Sequence, residues 1–350
     1  MPNALPLMGR RRALIGLAAC AAGPAVAAPA TAFPDGATLV VAGPPGRRLD
    51  RWADLLSPAL SRALPAGTPL QREHVGGADG VTGANQFEAR TMPDGATALL
   101  APGLAALSWL TGDARARFDV ARWVPIWTGS GSAVLASRVA LVPGRPLRVA
   151  VRSPAGPELP ALLALDLLGI EVVPVHAAAE APLLKAEAAL AGPDVDAVFL
   201  RGPNVPATAA MLARAGMPVV LAMGALDAVG QPARDPAFPD VPTAAEAILR
   251  TRPDAPVELM NALRASAAAV QLEAGLMLPK LSPAGMVALW RRGCAPAAQS
   301  PEVMEEAART GIRPASPQGA ATCTVAISAD VPTLLELRRW LSSRYNWRPA

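Results

Sequence analysis

Histidine and cysteine are scarce in this chain of 350 residues, which contains 2 histidines and 3 cysteines. The spacings CxxC and HExxH are absent, and the few histidines and cysteines are scattered along the sequence. A transition-metal site built from the usual His and Cys ligands is therefore not predicted. Aromatic residues make up only 4% of the chain, which weakens the case for a ligand held by ring stacking.

Recognisable catalytic and cofactor motifs are missing as well. The sequence has no GxSxG nucleophile motif, no phosphate loop ending in Gly-Lys-Ser/Thr, and no G-x-G-x-x-G dinucleotide motif. We therefore predict no enzyme and no bound cofactor. An enzyme that acts on organic acids through scattered acidic residues stays an alternative.

Long apolar runs are absent after the N-terminus, so the sequence predicts no membrane-spanning helix there. At the N-terminus, three arginines precede an uncharged run over residues 13–28 that ends in small residues. This pattern predicts an export signal peptide over residues 1–27, by the general secretory or the twin-arginine route. A lipobox-like Leu-Ala-Ala before Cys20 offers a lipid-anchored alternative. Either form of processing would place the folded protein in the periplasm.

The positive charge of the chain is concentrated in the predicted signal. The formal net charge is +4, and residues 1–27 carry three arginines and no acidic residue, so their removal leaves about +1. A nucleic-acid partner is therefore not predicted. Thirty of the 32 basic residues are arginine, a bias that fits a GC-rich genome better than a binding surface.

Two cysteines, Cys294 and Cys323, remain after the predicted processing. In an oxidising compartment they could form a disulfide, which would close a loop of about 30 residues. Two free buried thiols are the alternative, and the sequence leaves both open.

Strand-like and helix-like segments alternate along most of the chain. Strands are predicted at residues 37–43, 69–74 and from Thr97, each followed by a helix, and the pattern recurs between residues 147 and 223. This alternation predicts parallel α/β sheets. The tail contains Ala- and Leu-rich helices, one strand candidate near residues 276–278 and an amphipathic stretch at 331–341. Residues 247–277 look like a helical insertion without an assigned role.

A glycine-dense turn is the most informative local feature. Residues 73–95 read EHVGGADGVTGANQFEARTMPDG, a polar strand end that leads through four glycines into a helix. Backbone amides in such a turn, together with the helix dipole, can bind an anion without any charged side chain. A plain tight turn is the structural alternative.

Two strings in this sequence resemble a known family. Residues 73–84, EHVGGADGVTGA, followed by PDGATALL at 93–100, are similar to the VENRPGAGGNIGA and PDGYTLL motifs of the periplasmic solute receptors of tripartite tricarboxylate transporters, the Bug or TctC family. Farther along, FPDVPTAAEA at residues 238–247 resembles the family's LPDVPTLAEA. In physical terms this second string looks like a turn and a capping box, in which Thr243 caps a helix together with Glu246. The strings occur in the family's order, and the likeness extends loosely over nearly the whole mature chain.

The resemblance implies an α/β, two-domain periplasmic-binding-protein-like (type II) fold with an interdomain cleft that closes by a hinge motion. The expected domains are residues 33–135 plus 244–350, a discontinuous first domain, and residues 136–243. The implied function is a receptor, expected as a monomer, that captures a small carboxylate and delivers it to the membrane permease subunits. A sensor partner or a scaffold that has lost transport is the alternative.

The first candidate ligand-binding loop is GPPGRRLD at residues 43–50, which takes the place of the family's PxGGxTD loop. The resemblance assigns ligand contacts to Pro45 and Gly46. Arg47 replaces a glycine of that loop, and its guanidinium could pair with a carboxylate, fill the pocket or point to solvent. Asp50 is interpreted as a helix N-cap or as a ligand contact. Arg48 is a weaker candidate than Arg47.

The remaining candidates lie in the glycine turn and in the second domain. Ser153 opens a degenerate form of the family's SxGxGS loop, and Asp196 matches its GxVDxxF strand, with a strand-end cap as the alternative. Ser130 and Ser132 lie near the expected domain crossing, where they could donate hydrogen bonds or belong to a flexible hinge loop. His74 is interpreted as structural. The candidates in the glycine turn are Gly77, Ala78, Asp79, Gly80 and Thr82.

Overall fold

The computed structural model describes residues 33, 36–65, 68–176 and 194–348. The predicted signal peptide at residues 1–27, including Cys20, lies outside these residues, as does a helix predicted at residues 183–190. The described residues form one compact unit, and the domain boundaries near residues 136 and 243 stay a prediction.

The first sheet has six strands among the described residues, and all of them come from before residue 131 or after residue 271. The sheet thus combines strands from two separate parts of the chain. Its strands are β1 (Ala37–Val41), β2 (Leu70–His74), β3 (Thr97–Ala101), β4 (Trp123–Ser130), β12 (Leu272–Pro279) and β13 (Arg313–Ala315).

The order across the first sheet is β13-β4-β12-β3-β1-β2. β1 pairs in parallel with β2 and β3, while β12 runs antiparallel to β3 and β4. The carboxyl ends of β1, β2 and β3 therefore share one edge with the amino end of β12. Both predicted ligand-binding loops leave the sheet at this edge, which is where open α/β sheets bind ligands.

The second sheet is built from the middle of the chain, and its order is β7-β6-β8-β5-β9. β6 is parallel to β7 and β8, and β5 is antiparallel to β8 and β9. The predicted strands are confirmed with end shifts of a few residues. The strands are β5 (Ser132–Ser137), β6 (Leu147–Val151), β7 (Val172–His176), β8 (Ala197–Gly202) and β9 (Val219–Ala222), followed by the hairpin of β10 (Ala225–Leu226) and β11 (Pro232–Ala233).

Amphipathic helices cover the sheets. In the first helix, Trp52, Leu56 and Leu60 are spaced four residues apart and are almost completely buried, which places them on one face toward the sheet. The described helices are α1 (Arg48–Ala63), α2 (Val81–Arg90), α3 (Gly103–Thr111), α4 (Leu159–Leu167), α5 (Val205–Arg214), α6 (Ala244–Thr251), α7 (Val257–Gln271), α8 (Ala284–Ala297), α9 (Pro301–Thr310), α10 (Pro317–Ile327) and α11 (Val331–Tyr345).

The passage from the first sheet to the second is tight. Ser130 ends β4 and Ser132 begins β5, so only Gly131 lies between them. The Gly131 amide donates to the Gln271 carbonyl at 2.8 Å, and a Cβ on Gly131 would lie 3.0 Å from the Gly202 carbonyl oxygen. The segment is therefore a direct connection between two strands and not a loop, and its role as a hinge stays a prediction.

The region without an assigned role, residues 247–277, contains the central helix of the molecule. α7 packs against α3, α4, α10 and α11 and against strands β5 and β8 of the second sheet. Its small side chains allow close approach, since a Cβ on Gly103 would overlap the carbonyl oxygen of Ala269. At Gln271 the helix leads directly into β12. This region is thus part of the core.

The capping box predicted at the second family string is confirmed. Thr243 precedes α6, its hydroxyl accepts from the Glu246 amide at 3.0 Å, and the Glu246 carboxylate accepts from the Thr243 amide at 2.9 Å. Two backbone amides at the start of the helix thereby have side-chain hydrogen-bond acceptors.

Cys294 and Cys323 are free and buried, which agrees with the free-thiol alternative. Burial raises the pKa of both thiols, that of Cys323 to about 12, so neither is a thiolate at neutral pH. Across the described residues, no single helix is long and apolar enough to cross a membrane; the bent pair α10 and α11 passes that test of length and composition only when taken together.

Candidate functional site

The first candidate loop connects β1 to α1 and is held by its own backbone and Asp50. Gly46 has φ +69, a left-handed conformation that favours glycine. Its amide donates to Asp50 Oδ2 at 2.7 Å. Pro45, Gly46 and Arg47 are exposed, so the loop presents its tip to solvent while Asp50 fixes its base.

Asp50 is not the helix N-cap. α1 begins two residues earlier than expected, and Arg47 occupies the N-cap position. Asp50 instead lies in the first helical turn, where His74 Nε2 lies 2.6 Å from its Oδ1 and Arg72 lies 3.8 Å away. Burial opposes ionisation, but the Gly46 amide, His74 and Arg72 outweigh it and hold the pKa of Asp50 below its ordinary value. Asp50 thereby links the first candidate loop, through Gly46, to His74 at the start of the second. We call this Asp50–His74 pair the clasp.

The glycine turn has the predicted order of strand, turn and helix. Gly80 has φ +76 and is the N-cap of α2, and a Cβ there would lie 2.5 Å from Pro102 Cδ. Asp79 Oδ1 accepts from the Val81 amide at 3.3 Å, and its Oδ2 accepts from Arg115 at 2.9 Å. The only charged side chain predicted in this turn is thus engaged by a partner the sequence did not indicate.

The two loops lie side by side. A Cβ on Gly43 would lie 3.9 Å from the carbonyl oxygen of Gly77. Gly77, Ala78 and Thr82 are exposed. Their role as ligand-binding amides and hydroxyl stays a prediction.

A cavity of about 360 Å³ opens beside the first loop, between the edge of the first sheet and the residues that follow β8. Among the lining residues, Gly46 and Arg47 come from the predicted set, and the glycine turn, Ser153 and Asp196 do not line it. The described lining residues are Gly46, Arg47, Arg48, Arg51, Trp52, Pro203, Asn204, Glu273, Glu306, Arg309, Thr310 and Ile312.

The charged groups of this cavity favour an anion. Four arginines line it against two glutamates, both nearly buried. Arg48 lies 3.4 Å from Glu273, whereas Glu306 is shared by Arg51 at 3.7 Å and Arg309 at 2.5 Å. The formal excess is two positive charges, and guanidinium groups suit carboxylates because they donate two parallel hydrogen bonds.

Most of these charged residues were missed by the sequence analysis. Arg51, Glu273, Glu306 and Arg309 come from α1, β12 and α9, which are far apart in the chain. In a sequence whose basic residues are almost all arginine, no local pattern distinguishes them. Only the fold of the tail onto the first sheet brings them together.

Ser153 and Asp196 lie at opposite edges of the second sheet. β6 and β8 are parallel; Ser153 follows the carboxyl end of β6, whereas Asp196 precedes the amino end of β8. Asp196 accepts two hydrogen bonds from the Arg148 guanidinium, at 3.0 and 2.8 Å, and one from the Arg148 amide at 3.0 Å. Arg148 holds the pKa of Asp196 below its ordinary value despite burial. These contacts favour the strand-end alternative for Asp196.

Comparison with solved structures identifies the fold. The chain is similar to a TctC solute-binding protein from Polaromonas, with a TM-score of 0.64 and 16% identity over 89% of this chain and 100% of that one. The chain has the fold of a TctC solute-binding protein. The α/β receptor fold implied by the two sequence strings is thereby confirmed.

Two further solved structures are similar to the chain at lower TM-scores. One is described as a periplasmic transporter, with a TM-score of 0.51 and 21% identity over 91% of this chain and 100% of that one. The other is Rpa4515 of R. palustris with adipate, with a TM-score of 0.51 and 18% identity over 88% of this chain and 99% of that one. No protein-family model and no curated protein sequence matches the chain.

Proposed function

We propose that this protein is a member of the TctC family and serves as a periplasmic receptor that captures a small carboxylate and delivers it to a tripartite tricarboxylate-type permease. The observation that carries the proposal is the cavity of about 360 Å³, lined by four arginines and two glutamates beside the first candidate loop. Its size falls within the roughly 300–1,000 Å³ of small-molecule sites. The two family strings and the TctC fold support the same role.

A small organic acid is the ligand class that the cavity chemistry favours. Guanidinium groups bind carboxylates through charge-assisted hydrogen bonds, and Arg47 adds one to the cavity lining. The similar protein Rpa4515 has adipate bound, so a dicarboxylate of that length is a suitable first probe. The proposed role needs no catalytic group, no metal and no cofactor, and it is compatible with a monomer.

The scaffold alternative would require that the arginines close the pocket. Arg47 instead lines an open cavity, which supports ligand binding. A ligand-dependent sensor partner would keep the cavity but not need a permease. Uptake of the bound acid should therefore disappear when the permease is deleted, and uptake that survives this deletion would favour the sensor.

A thermal-shift screen of the purified protein tests the binding function directly. The probes are succinate, adipate and citrate, with sodium chloride at equal ionic strength and adipamide as the uncharged control. A ligand at 100 times its dissociation constant should stabilise the protein by about 2.7 kcal/mol. Cooperative unfolding without a shift by any carboxylate, or an equal shift by adipamide, would contradict the proposal.

A further inference from the structure

Arg201 is a partly buried cation at the carboxyl edge of the second sheet, and no sequence motif marks it. It is the penultimate residue of β8 and lies next to Gly202, where the strand reaches the cavity described above. Its Nε atom is buried and has no hydrogen-bond partner in the described part of the chain. A buried guanidinium donor without a partner is costly unless an acceptor such as an anion pairs with it.

The surroundings of Arg201 contain two carboxylates, but each is already paired with another arginine. Glu273 lies 3.4 Å from Arg48, and Glu158 lies 3.3 Å from Arg152. These four side chains are the charged neighbours that act on Arg201. Three arginines thus share two glutamates, and the described residues leave Arg201 without a close carboxylate of its own.

The end of β8 adjoins the wall of the cavity. A Cβ on Gly202 would lie 3.2 Å from an Arg48 guanidinium nitrogen and 3.6 Å from Glu273 Oε2. Arg48 and Glu273 line the cavity, and so do Pro203 and Asn204, which directly follow Gly202. The backbone of Arg201 therefore adjoins the cavity, and its side chain adds positive charge beside the charged lining residues from α1, β12 and α9.

The electrostatic environment of Arg201 favours an anionic partner. Burial, followed by the like charges of Arg152 and Arg48, lowers the pKa of Arg201 to about 10. The group stays charged at neutral pH. A carboxylate placed between Arg48 and Arg201 would relieve the repulsion and satisfy the free donor.

We propose that Arg201 pairs directly with one carboxylate of the ligand and determines the preference of the site for acids with more than one carboxylate. This inference rests on the proposed carboxylate-receptor function. The cavity and the Arg201 cluster together hold six arginines and three glutamates, an excess of three positive charges that a di- or tricarboxylate balances better than a monocarboxylate. The six arginines are Arg47, Arg48, Arg51, Arg152, Arg201 and Arg309, and the glutamates are Glu158, Glu273 and Glu306.

Glu273 acts in this arrangement as an internal competitor. Its carboxylate pairs with Arg48 at 3.4 Å, and its negative charge also acts on Arg201. A ligand carboxylate bound there competes with it for the same guanidinium groups. Neutralising Glu273 should therefore strengthen anion binding, whereas neutralising Arg201 should weaken it.

Calorimetric titrations with adipate and with hexanoate, a monocarboxylate of the same chain length, test this inference on the purified protein. The wild type should prefer adipate by at least about tenfold. Arg201→Gln should weaken adipate binding by about tenfold to a hundredfold, as expected for a lost charge-assisted pair, and abolish most of the preference over hexanoate. Glu273→Gln should instead strengthen adipate binding by about threefold or more.

Arg122→Gln is the matched control, because it also removes one positive charge. Arg122 pairs with Glu88 at 2.8 Å and precedes β4 at the opposite edge of the first sheet, where Trp123 pairs with Pro279. Adipate affinity should be unchanged in this variant.

The outcomes separate the two proposals. Adipate binding that is unchanged in Arg201→Gln overturns the role of Arg201 and leaves the carboxylate receptor standing. No binding of adipate, succinate or citrate by the wild type overturns both. If circular dichroism shows that Arg201→Gln is unfolded, Glu273→Gln decides: unchanged or weaker adipate binding overturns the inference, and stronger binding supports it.

Discussion

The two loops at the carboxyl edge of the first sheet have the same order of strand, loop and helix but offer a ligand different chemistry. Each follows a parallel strand, contains glycine at positive φ and leads into a helix. The glycine turn offers backbone groups and one carboxylate, that of Asp79, which already accepts a hydrogen bond from Arg115. The first loop contributes Arg47 and Arg48 to a cavity. The family-like string thus marks a backbone turn, whereas the loop that departs from the family carries the charge.

The largest effect is expected from Gly80→Ala in the glycine turn. The new Cβ would lie 2.5 Å from Pro102 Cδ at a φ of +76, which combines a steric clash with a left-handed conformation. The free energy of unfolding should fall by about 3 kcal/mol or more. Urea denaturation measures this, and a loss below about 1 kcal/mol would contradict the tight packing assigned to the turn.

Asp50→Asn should be the next most damaging change, because it weakens the clasp between the loops. The loss of a charged acceptor for Gly46 and His74 should cost about 1.5–3 kcal/mol at neutral pH. Asp54→Asn is the control, since Asp54 lies one turn later on α1 and shares Arg72 but is half-exposed. It should cost less than about 1 kcal/mol, and equal losses in the two variants would refute the clasp.

The Asp50 clasp also predicts a pH dependence. The folded-state pKa of Asp50 lies below its ordinary value of 3.8, so its stabilising contribution is fully present above that value. The contribution is lost as the pH falls through the folded-state pKa. The difference in unfolding free energy between wild type and Asp50→Asn should therefore shrink on acidification below about pH 4. A difference that grows toward acid pH would show that the sign is wrong.

Gly46→Ala should destabilise the protein less than Gly80→Ala does. Both glycines have positive φ, but a Cβ on Gly46 meets no atom within 4 Å. Only the conformational cost remains, about 1–2 kcal/mol. Measured under the same denaturation conditions, Gly46→Ala should be clearly milder than Gly80→Ala, and the reverse order would contradict the comparison of the two loops.

Asp79→Asn should have the smallest effect of the series. Its partner Arg115 is exposed and also contacts Asp113 at 2.7 Å, so the lost pair should cost less than about 1 kcal/mol. Because Asp79 does not line the arginine cavity, adipate affinity measured by calorimetry should stay within about threefold of wild type. A larger loss would give the glycine turn a direct role that the cavity does not explain.

Local features of the fold were predictable because local physics determines them. Apolar alternation located the strands, and the glycine turn and the Thr243–Glu246 capping box followed from short strings whose backbone requirements are specific. The start of α1 was misplaced, because Asp50 is a good capping residue by type, yet its carboxylate turns back to Gly46 and across to His74. The contact of Asp50 with His74 forms because β2 lies beside β1 in the folded sheet.

The candidate site was less predictable, since it depends on long-range assembly. Arg47 was recognised because it departs from a family pattern, whereas Arg201, Glu273 and Arg309 belong to three elements that meet only in the folded chain. Asp196 was selected by pattern, but the parallel pairing of β6 and β8 places it at the far edge, with Arg148. Charge complementarity across sheets leaves no periodic signal in one sequence.

A crystal structure of the protein grown with adipate tests the central claim most directly. We expect one carboxylate within hydrogen-bond distance of guanidinium groups in the cavity beside Arg47 and Arg48, with Arg201 on the side of the second sheet. A carboxylate bound only to the amides of residues 77–82, with the arginine cavity empty of ligand, would contradict the account.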